Sequence, residues 1–386
     1  MKKKVHFKAP ALSISGYGTH ARQIFRWLES KDIDLTVELL NWGITSWHVN
    51  PNAENGLIGR IMSKSRPAPQ DVDVVISLQL PNEWKRHPNA FNIGMSAVVE
   101  TDRCNPAWIE ACNNMDMVVV PTTFTKNVLL NSGKLNKDIV VVGESFPDEV
   151  YQVQDELSLP QITTKTNFLV VGQITGVKPE MDRKNLFYTV KWFCEAFSGR
   201  DDVSLVIKTN LGTNNSFMRN QTNEIFRKLV GEVRKGMFPK IHVLTGEMTT
   251  GEMISLYESS KMSALISLTR GEGFGLPLLE AAACSLPVIC TNWSGHLDFM
   301  NKGKFVSIDY DLVNIPQTRI DNSVFVNGAK WAEPREADFK KKILKFENKK
   351  EIPVEWANSL SKKVHEQFSF KAISEEYDKK LGSILS

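Results

Sequence analysis

The sequence contains no apolar run near the roughly 18 residues that a helix needs to cross a bilayer, and its start, MKKKVHFKAP, lacks the apolar core of a secretory leader. Both absences lead to the expectation of a cytoplasmic protein. Cysteine is scarce. The five residues Cys104, Cys112, Cys194, Cys284 and Cys290 are odd in number and form no C-x-x-C pair, which argues against a disulfide framework or a zinc site. The seven histidines form no H-x-x-x-H or other ligand cluster. Charge is nearly balanced as well, at +3, and does not by itself imply nucleic acid. Two local excesses stand out: Arg219 to Lys240 carries six basic residues against two acidic, and Lys340 to Lys350 six against one. Solvated helix faces account for both most simply.

What remains is an ordinary globular composition, 42% hydrophobic and 24% charged, in a chain of 386 residues, longer than one core comfortably serves. Two α/β domains are expected. In the first half VHFKAPAL, LTVELLNW, VDVVISLQL, IGMSAVVE, MDMVVVP and DIVVVGE read as strands, and in the second TNFLVVGQ, VSLVIKTN, KIHVLTG, SALISL and PVICTN. Several are near-continuous Val/Ile/Leu, as strands covered on both faces should be. Between the sets, residues 146–166 hold two prolines and no sustained period. The expected division is 1–155 and 156–365, each Rossmann-like, with the active site in the cleft at the carboxyl ends of the strands. In the tail, Trp356, Leu360, Val364 and Phe368 recur every fourth residue, and 366–386 is expected as a helix returning to the first domain.

After the first strand, Gly16, Gly18 and Ala21 satisfy G-x-G-x-x-A, with Ala21, Ile24, Phe25 and Leu28 on one helix face. Such a turn brings backbone close to a phosphate. A dinucleotide site would also need a carboxylate ending the second strand, but that strand closes on Asn41 and Trp42. An anion turn or a plain tight turn therefore remains, and an NAD-dependent oxidoreductase is weakened. Near Leu268 the chain runs LTRGEGFGLPLLEAAACSLPVICTNWSGHLDFM. Three glycines before a helix opened by Pro277 make a second anion cradle. Glu272 and Glu280 sit eight apart, where paired hydroxyls of a sugar and a ribose flanking a diphosphate would suit them. The plain alternative is a glutamate complementing the helix dipole and an ordinary surface glutamate.

EGFGLPLLEAAACSLPV resembles the donor-site motif of retaining GT-B glycosyltransferases of family four. TNWSGHLDFM, MDRKNLFYTVKWFCEAF, SLVIKT, VNGAKWAEP and the stretch from VVETDRCNP to LLNSG resemble other blocks of that family. The resemblance implies that Glu272 contacts donor sugar hydroxyls, that Gly273, Phe274, Gly275 and Leu276 offer backbone N–H groups to sugar and diphosphate, and that Glu280 holds the ribose. Gly16 and Gly18 would close the first-domain side of the same pocket. Arg183 and Lys184 in MDRKN stand where the family places its phosphate-binding pair, against charge developing on the leaving diphosphate. The family arginine usually lies nearer the strand, where this chain has Gln173 and then an inserted loop, so Lys184 is the firmer choice. Lys208 is either a second donor-side cation or a solvated strand-end lysine. In ETDR, where many relatives carry a histidine, Glu100 and Asp102 are assigned to the reacting sugar and acceptor, with capping by Asn105 as the local alternative. The base would rest on Gly246 and Met248.

The expected reaction is transfer from a nucleoside-diphosphate sugar, UDP-linked by preference, to an acceptor hydroxyl with retention, using no cofactor and no metal. D-V-D at Asp71 to Asp73 reads as a turn leading into a strand. The acceptor is expected to be a glycan. Two alternatives are hydroxymethylated bases in DNA, with Trp47 and Trp84 stacking an extruded base, and a non-catalytic sugar-nucleotide-binding protein.

Overall fold

A computed structural model describes residues 2–176 and 178–386. The chain divides into two compact units, the first made of residues 1–145, 321–326 and 368–386 and the second of residues 146–320 and 327–367.

The first unit runs β1 (Lys3–Ala9), α1 (Gly16–Glu29), β2 (Ile33–Leu39), α2 (Leu57–Ser63), β3 (Val74–Leu78), β4 (Phe91–Met95), α3 (Pro106–Asn113), β5 (Met117–Val120), α4 (Thr123–Ser132) and β6 (Ile139–Val141). Its sheet has the order β2-β1-β3-β4-β5-β6, parallel throughout. The order reverses beside β1, so the glycine turn leaves the sheet at a switch point, where α/β sheets open a crevice. Every residue of β3 is buried, which is why VVISL carries no polar alternation.

The glycine turn is a packing device first. Ser15 caps α1 and accepts from the Gly18 N–H at 3.1 Å. A Cβ on Gly18 would stand 1.9 Å from the Ser13 carbonyl oxygen, so no larger residue fits there, whereas Gly16 has open space. The Asp71–Asp73 turn clamps the start of β1: Asp73 accepts from the Lys4 N–H at 2.7 Å and Asp71 pairs with the Lys4 ammonium. The expectation that Trp84 could stack an extruded base fails. Its ring is 8% exposed and lies flat on Gly94 of β4, where a Cβ would meet ring carbons at 2.7 Å.

The second unit contains β7 (Thr166–Val171), α5 (Leu186–Ala196), β8 (Val203–Lys208), α6 (Ser216–Val233), β9 (Lys240–Leu244), α7 (Thr250–Glu258), β10 (Met262–Ser267), α8 (Leu276–Ala283), β11 (Val288–Thr291), α9 (Leu297–Met300), β12 (Val306–Ile308), the antiparallel pair β13 (Tyr310–Asn314) and β14 (Lys330–Pro334), α10 (Glu336–Asn348) and α11 (Glu351–Phe368). Its sheet order is β12-β11-β10-β7-β8-β9, again all parallel. The chain winds outward from β7 to β9, then returns to β10 on the other side of β7. That jump puts the switch point between β7 and β10. Phe168 on β7 anchors the core, its ring 5.6–5.8 Å from those of Phe193, Phe197 and Phe346.

The last helix, α12 (Phe370–Leu385), belongs to the first unit. Tyr377 stacks on Trp27 of α1 at 4.8 Å, the Trp27 indole donates to Asp378 at 2.8 Å, and Arg26 lies 3.8 Å over the Phe370 ring.

Candidate functional site

The loops leaving β7 and β10 meet at the switch point of the second unit. Asp182, fully buried, organises the first of them: one carboxylate oxygen accepts from the Thr175 N–H and hydroxyl, and the other accepts from the Leu186 N–H at 2.7 Å, opening α5. The following residues, Arg183 and Lys184, are thereby aimed at the loop after β10. That loop is held by Arg270, 1% exposed, whose guanidinium grips Glu333 of β14 in two hydrogen bonds of 2.7 and 3.0 Å. It also donates to the Pro179 and Asp182 carbonyls at 2.8 and 2.7 Å, while its backbone N–H donates to the Arg183 carbonyl. Tyr188 and Trp331 rings lie 5.6 and 5.3 Å from the guanidinium carbon. A bidentate, ring-flanked arginine gives a fixed geometry.

Two residues on, Glu272 receives the Lys184 ammonium on both carboxylate oxygens, at 2.7 and 2.8 Å, with Arg183 Nη1 at 3.4 Å. Burial alone would raise its pKa, but the Lys184 and Arg183 charges outweigh that and hold it at about 2. The inserted loop has therefore not carried Arg183 away: both basic residues reach Glu272. Behind it, the Glu272 N–H donates to Ser294 Oγ at 2.9 Å, and His296 Nδ1 lies 3.5 Å from that hydroxyl. His296 Nε2 donates to the Thr291 carbonyl at 2.8 Å, and burial pushes its pKa down, so the ring is the neutral Nε2–H tautomer. Ser294 has φ +90°, a costly conformation for a residue with a Cβ. Gly295 beside it could bear no side chain, because a Cβ would lie 2.1 Å from the Gly273 carbonyl oxygen. The turn Gly273–Leu276 then opens α8, which has no side-chain cap at Gly275, so that end of the helix presents partial positive charge.

One turn further along α8 stands Glu280, half-buried, accepting from the Tyr257 hydroxyl at 3.1 Å. Desolvation raises its pKa to about 7 despite that bond. Lys208, at the carboxyl end of β8, is 6% exposed and donates to the Gly246 carbonyl; burial lowers its pKa. The Gly246 N–H donates to Asn210 Oδ1 at 3.0 Å, so both backbone polar groups of Gly246 already have a protein partner. Met248 is half-buried on the same loop. Both amide atoms of Asn185 and the hydroxyls of Thr209 and Thr291 are buried on this side of the sheet without hydrogen-bond partners, as a site that expects water or ligand would leave them.

In the first unit, Tyr17 joins the glycine turn to the loop after β4: its hydroxyl is 3.0 Å from Ser96 Oγ and accepts from the Ala97 N–H at 3.0 Å. Glu100 and Asp102 follow on that loop, both half-buried, with Asp102 3.5 Å from Arg103. Asn105 caps α3, accepting from the Ala107 N–H, and donates to the Asn322 carbonyl at 2.8 Å. Among the described residues, no group of three or more His, Cys, Asp or Glu could hold a metal ion, and no helix is long and apolar enough to cross a membrane. The sequence reading overlooked Asp182, Arg270, Ser294, His296 and Tyr257. LTRGEGFGL displayed Arg270 beside the motif, but only its burial shows that it holds the loop.

No curated protein matches the chain in sequence. Among solved structures, sucrose-phosphate synthase from Thermosynechococcus elongatus superposes with TM-score 0.64 at 12% identity, over 99% of each chain. Anabaena Alr3699/HepE, in complex with UDP and glucose, gives TM-score 0.62 at 11% identity over 99% of this chain and 100% of its own. S. aureus TarM, in a complex that includes UDP, gives 0.54 at 15% identity over 82% of this chain, which spans only 56% of the TarM chain. Residues 228–363, which include Glu272, Glu280, Ser294 and His296, match the family described as Glycosyl transferases group 1. Residues 228–363 thus match a glycosyl transferases group 1 domain, set within a chain whose two parallel-sheet units share the GT-B fold of these structures.

Proposed function

We propose that this protein transfers a sugar from a nucleoside-diphosphate sugar, UDP-linked, to a glycan hydroxyl with retention at the anomeric carbon and without a metal. The observation that carries the reading is the pair of half-buried Lys184 and buried Glu272 at the switch point, beside the end of α8 that no side chain caps. A carboxylate suits sugar hydroxyls, and an ammonium with a helix end suits the diphosphate next to them. Glu280, with a single hydroxyl donor and no cation, suits the two hydroxyls of a ribose. UDP in two of the structural relatives supports the choice of nucleotide.

In this reading the bond from the anomeric carbon to the phosphate oxygen breaks as the acceptor oxygen bonds to the same face of that carbon. The acceptor proton passes to the departing phosphate. Lys184, Arg183 and the amides of Gly273–Leu276 meet the charge that accumulates there. Lys208, buried without a carboxylate partner, adds positive potential at the same strand edge. Glu100 and Asp102 are assigned to the reacting sugar and acceptor.

The test is release of UDP from UDP-glucose, unaffected by EDTA, followed by intact-mass screening of glycan acceptors and NMR of the product's anomeric proton. Inversion in the product would refute retention. Failure to turn over or bind any nucleotide sugar would refute the donor assignment.

A further inference from the structure

The assignment of the base to the loop of Gly246 and Met248 leaves open what reads it. Gly246 does not, because Asn210 holds its N–H and Lys208 its carbonyl. The end of α6 does not either: Asn215 caps it, accepting from the Met218 N–H at 2.9 Å. What remains on that surface is a side chain. A Cβ placed on Gly246 would lie 3.9 Å from Arg219 Cδ and 4.0 Å from Arg219 Nη1, so the guanidinium, in the first turn of α6, leans against the bare α-carbon of the pinned glycine. Arg219 is exposed and its guanidinium, unlike those of Arg183 and Arg270, makes no hydrogen bond or ion pair among the described residues. A free guanidinium carries five N–H donors and no acceptor. It can satisfy a carbonyl oxygen on a base edge and can only repel an amino group there.

We propose that Arg219 reads the nucleotide base, donating to the carbonyl oxygen by which uracil differs from cytosine and thereby setting a preference for uridine donors. This rests on the sugar-nucleotide reading above and adds to it the residue that selects the base. The distinction is large in principle, since a site built to hydrogen-bond one group discriminates strongly against the analogue that leaves its donor unpaired.

Calorimetric titration of the whole protein with UDP, CDP, GDP and ADP tests it, with Arg219→Ala compared against Arg227→Ala, an exposed charge removed from the same helix. The unaltered protein should favour UDP over CDP by roughly tenfold to a hundredfold, the range for one charged hydrogen bond. Arg219→Ala should weaken UDP until it matches CDP, leave CDP nearly unchanged and keep the melting temperature. Arg227→Ala should keep the preference. Equal weakening of all four nucleotides by Arg219→Ala would make it a phosphate contact and overturn the proposal, as would an unchanged UDP preference. If no nucleotide binds the unaltered protein, the sugar-nucleotide reading falls and this inference with it; if nucleotides bind and only the preference is insensitive to Arg219, the inference alone falls.

Discussion

Two glutamates eight residues apart have opposite electrostatic fates because of what faces them. Glu272 meets Lys184 and Arg183 and is held ionised with a pKa of about 2; Glu280 meets one tyrosine hydroxyl and rises to about 7. Their proposed partners differ too. Lys184→Ala should lower kcat by roughly 10²-fold or more, the scale for losing one preorganised charge donor, and steady-state turnover measures it. Glu272→Ala should lower kcat about 10- to 150-fold, as the sugar it touches gains charge in the transition state. Glu280→Ala should mainly raise the donor KM, because a ribose does not change during the reaction. Glu280 must be ionised to accept both ribose hydroxyls, so donor KM should climb as pH falls below about 7, a dependence that Glu280→Gln should flatten. Its raised pKa means that protonation favours the folded state. That stabilisation is whole below the unfolded value near 4.5 and is lost as pH rises through about 7. Glu280→Gln should thus stabilise the protein at pH 8 by about 1 to 3 kcal/mol and gain nothing near pH 4, as thermal melts at the two pH values would show.

At the scale of elements, the strands were legible wherever burial on both faces made them continuous. VVISL, VSLVIK and MVVV became β3, β8 and β5 because parallel strands between helices leave no polar alternation to confuse. β12, three residues long, and the β13–β14 ribbon, with KWAEP among its residues, carry no such run and gave no signal. The glycine turns were visible as turns. Their division of labour was not, because whether Gly18 faces a ligand or the Ser13 carbonyl depends on a contact formed only in the fold. The same holds for Arg270, whose partners Pro179, Asp182 and Glu333 are scattered along the chain. Arg270→Met should destabilise the second unit by about 3 kcal/mol, the scale for breaking a buried pair whose remaining carboxylate can still reach water. Urea unfolding measures that. Because the loop that aims Arg183 and Lys184 hangs on this arginine, donor binding should weaken in the same variant.

For the molecule as a whole, the basic tract at Lys340 to Lys350 is neutralised in part where it stands. Lys340 pairs with Glu195 and Glu336, and Lys342 pairs with Asp338 at 2.7 Å. With Trp84 buried as well, a modified-DNA acceptor loses part of its support. Acceptor KM should accordingly change little between 50 and 200 mM salt, where a protein meeting 6 to 10 phosphates would lose about 10³- to 10⁵-fold in affinity. The first unit, finally, is assembled from distant stretches of chain. Residues 1–145 supply its sheet, but α12 brings Tyr377 to Trp27 only from residues 368–386. During synthesis at about 5 to 20 residues per second, roughly 10 to 45 s separate the emergence of these pieces. Through that interval the nascent first unit displays the unpaired face of α1 on the ribosome, with Trp27 uncovered and His20 without the Tyr377 hydroxyl that lies 3.2 Å from it in the fold, while the second unit emerges. The part of the chain made first is thus completed last, and chaperones that bind apolar surface have their longest opportunity at α1.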